Sequence, residues 1–204
     1  MARNLTQLDV HIPPELIGLT HQLVTPKQYE QLCRKYGDVR LELTSTGELI
    51  IMLPTGLESG PRNSNLTRQL DLWAENDGSG LCFDSSTIFA LPNGARRMPD
   101  AAWVKREKWD TLTKEQKQRF GPLCPDFVVE LSSRTDRLSQ LRNKMVEYIV
   151  NGACLGWLIN PFSRQVYVYR PGEEGVILEN PETISGDPPL SGFELNLTKI
   201  WSVE

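Results

Sequence analysis

The feature that most constrains this chain is the run from Asp126 to Asn160. Asp126–Leu131 (DFVVEL) is a short, strongly apolar stretch of the kind that forms a strand buried on both faces. Asp136–Asn151 then repeats at helical spacing, with Leu138, Leu141, Met145, Tyr148 and Ile149 on its apolar side and Gly152 as its stop. Leu155–Asn160 (LGWLIN) is a second apolar strand. A strand, a helix and a strand in that order make a parallel pair with a right-handed crossover, so the chain carries a sheet with at least one helix packed on it.

The flanking sequence extends this unit. Thr25 with Pro26 opens a helix that stops at Gly37. A hairpin follows, Arg40–Thr44 turning through STGE to Leu49–Leu53, and Pro54-Thr55-Gly56 breaks it. Gly60–Glu75 is an amphipathic helix with Leu66, Leu70 and Trp73 on one face. Leu81–Asp84, Thr87–Ala90, Asp100–Val104 and Gln165–Arg170 are further strands, and TKEQKQRF is a short helix in a charged excursion. The tail from Pro171 is rich in Pro, Gly and Glu, with one last edge strand expected in PLSGFELNLTKIW. The expected fold is α/β (α+β), a mixed central sheet flanked by helices. At about 100–200 residues per domain, 204 residues suit an irregular arm over 1–24 and one domain over 25–204.

Bulk properties exclude several classes. The net charge of −4 argues against a protein that only coats nucleic acid, which is usually basic. Cys33, Cys82, Cys124 and Cys154 are too far apart for a zinc pair and are expected to be reduced and mostly buried. No segment reaches the roughly 20 apolar residues needed to span a bilayer, and the N-terminus lacks the apolar core of a signal peptide, so the cytoplasm is expected. Neither GxxxxGK[ST], GxGxxG nor GxSxG occurs, and His11 and His21 stand near no plausible triad.

Chemistry concentrates in a few short stretches. Glu130 lies in an apolar strand, where a carboxylate is costly unless a cation or metal compensates it; a buried salt bridge or a water-facing edge would explain it equally well. Asp100 opens a strand after Pro99, which is also an ordinary turn position. Gln140, Lys144 and Tyr148 are each four apart and share a helical stripe, from which Lys144 either reaches over the sheet or snorkels to solvent. Ser132 and Ser133 either bond a carboxylate or cap the next helix, where Asp136 is the better N-cap. Glu58 is either an acid favoured by the helix dipole or a third site carboxylate. Arg62 and Asn63 lie close enough to contact phosphate. Basic residues recur at Arg96-Arg97, at Lys105, Arg106 and Lys108, and at Arg134, Arg137 and Arg142. The Lys105–Lys108 group reads as a solvated surface.

The runs TGLESGPRNSNLTRQLDLW, FDSSTIFALPNGARRMPDAAWV, CPDFVVELSSRTDRLSQLRNKMVEYIVNGACLGWLINP and QVYVYRPG closely resemble the Uma2 family (DUF820), which is greatly expanded in cyanobacteria. The resemblance covers residues 25–200. It implies a PD-(D/E)XK, restriction-endonuclease-like core and metal-dependent hydrolysis of phosphodiesters, with DNA the expected substrate. Asp100 matches the Asp of the PD motif, Glu130 the acid of (D/E)XK, and Glu58 the acid near the first core helix. The usual lysine position holds Ser132, and Lys144 on the following helix takes its place, with Gln140 and Tyr148 supporting. Mg²⁺, or Mn²⁺, would be held by Asp100, Glu130 and the Leu131 carbonyl, with Glu58 completing the shell. Arg62, Asn63, Arg97 and Arg134 would meet nucleic acid. The alternatives are a catalytically silent nuclease-fold binding or regulatory module, or an interaction domain; a homodimer and no membrane partner are expected.

Overall fold

The computed structural model describes residues 12–20, 22–52 and 56–202. Residues 1–11 of the expected arm, with His11, together with His21, Leu53 at the end of the expected hairpin and the Pro54-Thr55 breaker, lie outside the described residues. The chain divides into two compact units, Met1–Pro54 with Gly94–Arg96, and Thr55–Asn93 with Arg97–Glu204.

The smaller unit contains helices α1 (Pro14–Leu19) and α2 (Pro26–Lys35) and the hairpin strands β1 (Arg40–Leu43) and β2 (Leu49–Met52). Residues 14–19 were expected to be irregular. They form a helix because Pro14 sits at the first helical position, where its missing N–H costs nothing. Thr25 caps α2 in a reciprocal box with Gln28. The buried Tyr29 hydroxyl donates to the Leu41 carbonyl at 2.6 Å. The hairpin is antiparallel, with Leu41 opposite Ile51, and turns through Gly47 at φ +90°. Leu43 also pairs with Arg96 of β5 (Arg96–Arg97).

The larger unit is built on α3 (Ser59–Asp77) and a six-stranded sheet. Its strands are β3 (Gly80–Asp84), β6 (Ala101–Lys105), β7 (Phe127–Leu131), β8 (Leu155–Asn160), β9 (Gln165–Tyr169) and β10 (Val176–Glu179), in the spatial order β10-β9-β8-β7-β6-β3. Only β7 and β8 run parallel; α6 (Leu138–Val150) connects them as the apolar pattern predicted. The fold class is therefore as expected, a mixed sheet flanked by helices. Smaller elements are β4 (Phe89–Ala90), α4 (Arg106–Asp110), α5 (Lys114–Lys117), a ribbon of β11 (Thr183–Ser185) with β12 (Glu194–Asn196), and α7 (Thr198–Trp201).

Alternation along the strands sorts the two faces. Ala101, Trp103, Phe127, Val129, Leu131, Trp157 and Ile159 pack with Leu66 and Leu70 of α3 and with Ile184, Phe193, Leu195 and Ile200 of the C-terminal segment. The tail is thus a covering layer of the core. Its strand residues form a separate ribbon where an edge strand was expected, and the edge of the main sheet is β10. The opposite face meets α6, and Gly156 leaves room there: a Cβ on it would stand 2.5 Å from the Met145 methyl and 3.4 Å from Val128.

Two local expectations are corrected. Asp136 does not cap α6. Its carboxylate accepts the Ser133 N–H at 2.7 Å within the preceding turn, and Arg137 occupies the N-cap position without a capping side chain. The cysteines are free, but only Cys124 is buried; Cys33, Cys82 and Cys154 are partly exposed.

Candidate active site at the ends of β6 and β7

Glu130 belongs to the even-numbered face of β7, the face covered by α6. It is 4% exposed. Its charge is compensated from the helix: Lys144 Nζ lies 2.7 Å from Oε1, and the Tyr148 hydroxyl donates to the same oxygen at 3.1 Å. Four-residue spacing on α6 sets both groups over one point of the sheet. Lys144 is buried rather than snorkelling, and it also donates to the Met98 carbonyl at 3.4 Å.

Asp100 reaches the same place from β6. Ala101 pairs with Val129, so the next residue outward, Asp100, stands opposite Glu130 at the end of the antiparallel pair. One Asp100 oxygen accepts the Leu131 N–H at 2.8 Å, and the other accepts Asn63 Nδ2 at 3.4 Å. The second turn of α3 thereby joins the two strand ends. Two polar atoms here are buried with no hydrogen-bond partner, Asn63 Oδ1 and Ser132 Oγ. Buried polar groups are nearly always satisfied, so an orphaned pair of oxygens beside two carboxylates points to space for water or a ligand.

The remaining predicted residues divide. Glu58 does not join the carboxylates. More than half exposed, it lies 3.5 Å from both Arg62 and Arg134. Arg62 is buried and fastened, donating from Nε to the Ile200 carbonyl at 2.9 Å. Arg134 is exposed, its guanidinium 4.5 Å from the centre of the Phe162 ring. Arg97 is buried and paired with Glu147 at 2.5 Å, which withdraws it from any surface contact. Gln140 shares the stripe of Lys144 but lies one turn too early, at the exposed start of α6. The Ser132 hydroxyl neither bonds a carboxylate nor caps α6. Lys108, expected in a solvated patch, pairs with the buried Asp126 at 3.3 Å.

Sequence reasoning missed Phe162, Glu147 and the Met98 carbonyl. Phe162 carried no signal beyond being an aromatic after a turn proline, and the Arg97–Glu147 pair joins positions too far apart for any spacing rule.

Among the described residues, no three His, Cys, Asp or Glu side chains form a ready metal cage. The donor set at Asp100 and Glu130 nonetheless suits a hard cation, since Mg²⁺ is commonly held by one or two carboxylates with the rest of its shell water. No helix among the described residues is long and apolar enough to cross a membrane.

A mixed sheet flanked by helices in this arrangement is found among solved proteins. The crystal structure of a "putative nuclease belonging to DUF820" from Anabaena variabilis ATCC 29413 superposes with a TM-score of 0.73 at 17% identity, over 87% of this chain and 97% of that one. At that identity the likeness speaks for the fold. The Uma2 family model, described as "Putative restriction endonuclease", matches residues 26–198. The chain belongs to the Uma2 family. No curated protein matches it.

Proposed function

We propose that this chain is a metal-dependent nuclease that hydrolyses phosphodiester bonds of nucleic acid, with DNA the expected substrate. The observation that carries the reading is the convergence of Lys144 and Tyr148 on Glu130, with Asp100 opposite it, in a member of a family described as restriction endonucleases.

Asp100, Glu130 and the Leu131 carbonyl would hold Mg²⁺ or Mn²⁺, which when bound supplies Lewis acidity toward a phosphoryl oxygen and lowers the pKa of a bound water. The chain's own groups do the rest. Lys144 is an ammonium held between the Glu130 carboxylate and the Met98 carbonyl. Its positive charge faces the attacking water and meets charge developing on the phosphate. Tyr148 fixes the Glu130 carboxylate, and Asn63 fixes Asp100. Glu58 acts one step away, aligning Arg134 toward the substrate backbone.

The test is nicking of supercoiled plasmid by wild type and Asp100→Ala protein purified in parallel, with and without Mn²⁺. Cleavage that needs both the metal and Asp100 is expected. Equal traces from the two proteins would leave the chain a silent binding module.

A further inference from the structure

The parallel strands β7 and β8 end side by side, a usual place for a ligand crevice in sheets with parallel pairs. Just beyond Leu131 and Asn160 there is a cavity of about 330 Å³, lined by Ser132, Arg134, Asp136, Leu138, Asn160 and Phe162. It is close to the carboxylates in sequence, since Ser132 follows Glu130 by two residues, yet none of the roles assigned to the reacting phosphate uses it.

We propose that this cavity receives one unpaired nucleobase of the strand whose backbone passes Asp100 and Glu130. The inference rests on the nucleic-acid reading above and names the form of substrate it implies, a single strand or a locally opened duplex.

Three independent observations point to a base. The first is Ser132, which lines the cavity and whose Oγ has no hydrogen-bond partner although the residue is only 7% exposed. A hydroxyl is both donor and acceptor, which suits the mixed edge of a base. The second is Phe162, a 39% exposed aromatic at the cavity wall. Its ring is held by guanidinium groups, Arg134 at 4.5 Å and Arg62 at 5.5 Å from the centroid, and its loop by the Asn160 carboxamide, which accepts the Phe162 N–H at 3.1 Å. Aromatic rings and arginine planes are the common platforms for unstacked bases. The third is Asp136, an acidic residue that lines the same cavity. It would repel a phosphate there but accepts readily from an exocyclic amine. A base inside a duplex cannot enter such a site without leaving its stack.

The experiment measures binding by the full chain in EDTA, where no metal-dependent cleavage occurs. The probes are a short single strand carrying 2-aminopurine, the matching duplex, and a strand of equal length with abasic sites. The base-bearing strand is expected to bind about tenfold more tightly than the other two. Phe162→Ala should erase that preference, and Phe162→Trp should restore it. Equal affinity of wild type for the abasic and base-bearing strands overturns the proposal, as does a preference that survives Phe162→Ala. Metal-dependent nicking is scored separately: its absence with the base preference intact sinks only the nuclease reading, and the converse sinks only the base pocket.

Discussion

A buried carboxylate is tolerable only while its partners stay in place. Glu130 depends on Lys144 and Tyr148 for that tolerance, so removing either exposes the cost of the charge. Lys144→Met should destabilise the fold by about 3 kcal/mol, because it leaves an uncompensated buried anion. The double variant Glu130→Leu with Lys144→Met should recover most of the loss, and Tyr148→Phe should cost about 1.5 kcal/mol. Urea unfolding measures all three; a double variant as unstable as Lys144→Met alone would contradict the pairing. Much of this was legible beforehand. An acid inside FVVEL announces a need for compensation, and four-residue spacing on a helix names the side chains able to supply it. The same spacing also named Gln140, which lies exposed, because a stripe says which residues align and not how far along the helix the sheet extends. Arg97 shows a different limit. Its partner, Glu147, comes from another element, and a pairing made by tertiary packing leaves no local trace.

At the level of elements, close approaches decide which glycines are obligatory. A Cβ on Gly80 of β3 would stand 2.4 Å from both the Trp103 ring and the Val104 carbonyl oxygen. On Gly156 of β8 the nearest atom is the Met145 methyl, the far end of a flexible side chain. Gly80→Ala should therefore cost more than Gly156→Ala, by about 1–2 kcal/mol, because backbone and a packed indole cannot swing aside. Thermal unfolding of the two variants would show it, and a reversed order would refute the argument. The longer helices α2, α3 and α6 and the central strands were readable to within a residue or two, since their periodicities are strong, whereas the short helices α1, α4 and α7 were not. Nor were the C-terminal ribbon and β10. Residues 171–202 are rich in turn formers, and Ile184, Leu195 and Ile200 gain their meaning only from the sheet face they cover.

For the whole molecule, burial governs how stability responds to alkali. The Cys82 and Cys124 thiols are pushed up to about 12 by desolvation from an ordinary value of 9.0. In the unfolded chain both ionise near that ordinary value, so above it the unfolded state binds fewer protons than the native one. The stability they contribute is complete below pH 9.0 and is lost progressively as the pH rises toward 12. Urea midpoints should fall steadily across that window, and Cys124 should resist iodoacetamide at mildly alkaline pH until the protein unfolds. Rapid labelling of native Cys124 would show that its burial is overstated. The order of the covering layers has a further consequence. One side of the sheet receives α6 from the stretch between its own central strands, but the other is finished by residues 184–200, and the Ile200 carbonyl is what fastens Arg62 at the start of α3. During synthesis the ribosome must therefore release nearly the whole unit before that side can be sealed. Until then the nascent chain carries a face, Phe127 and Trp157 included, that α3 covers only in part, a temporary load of the kind that chaperones shield.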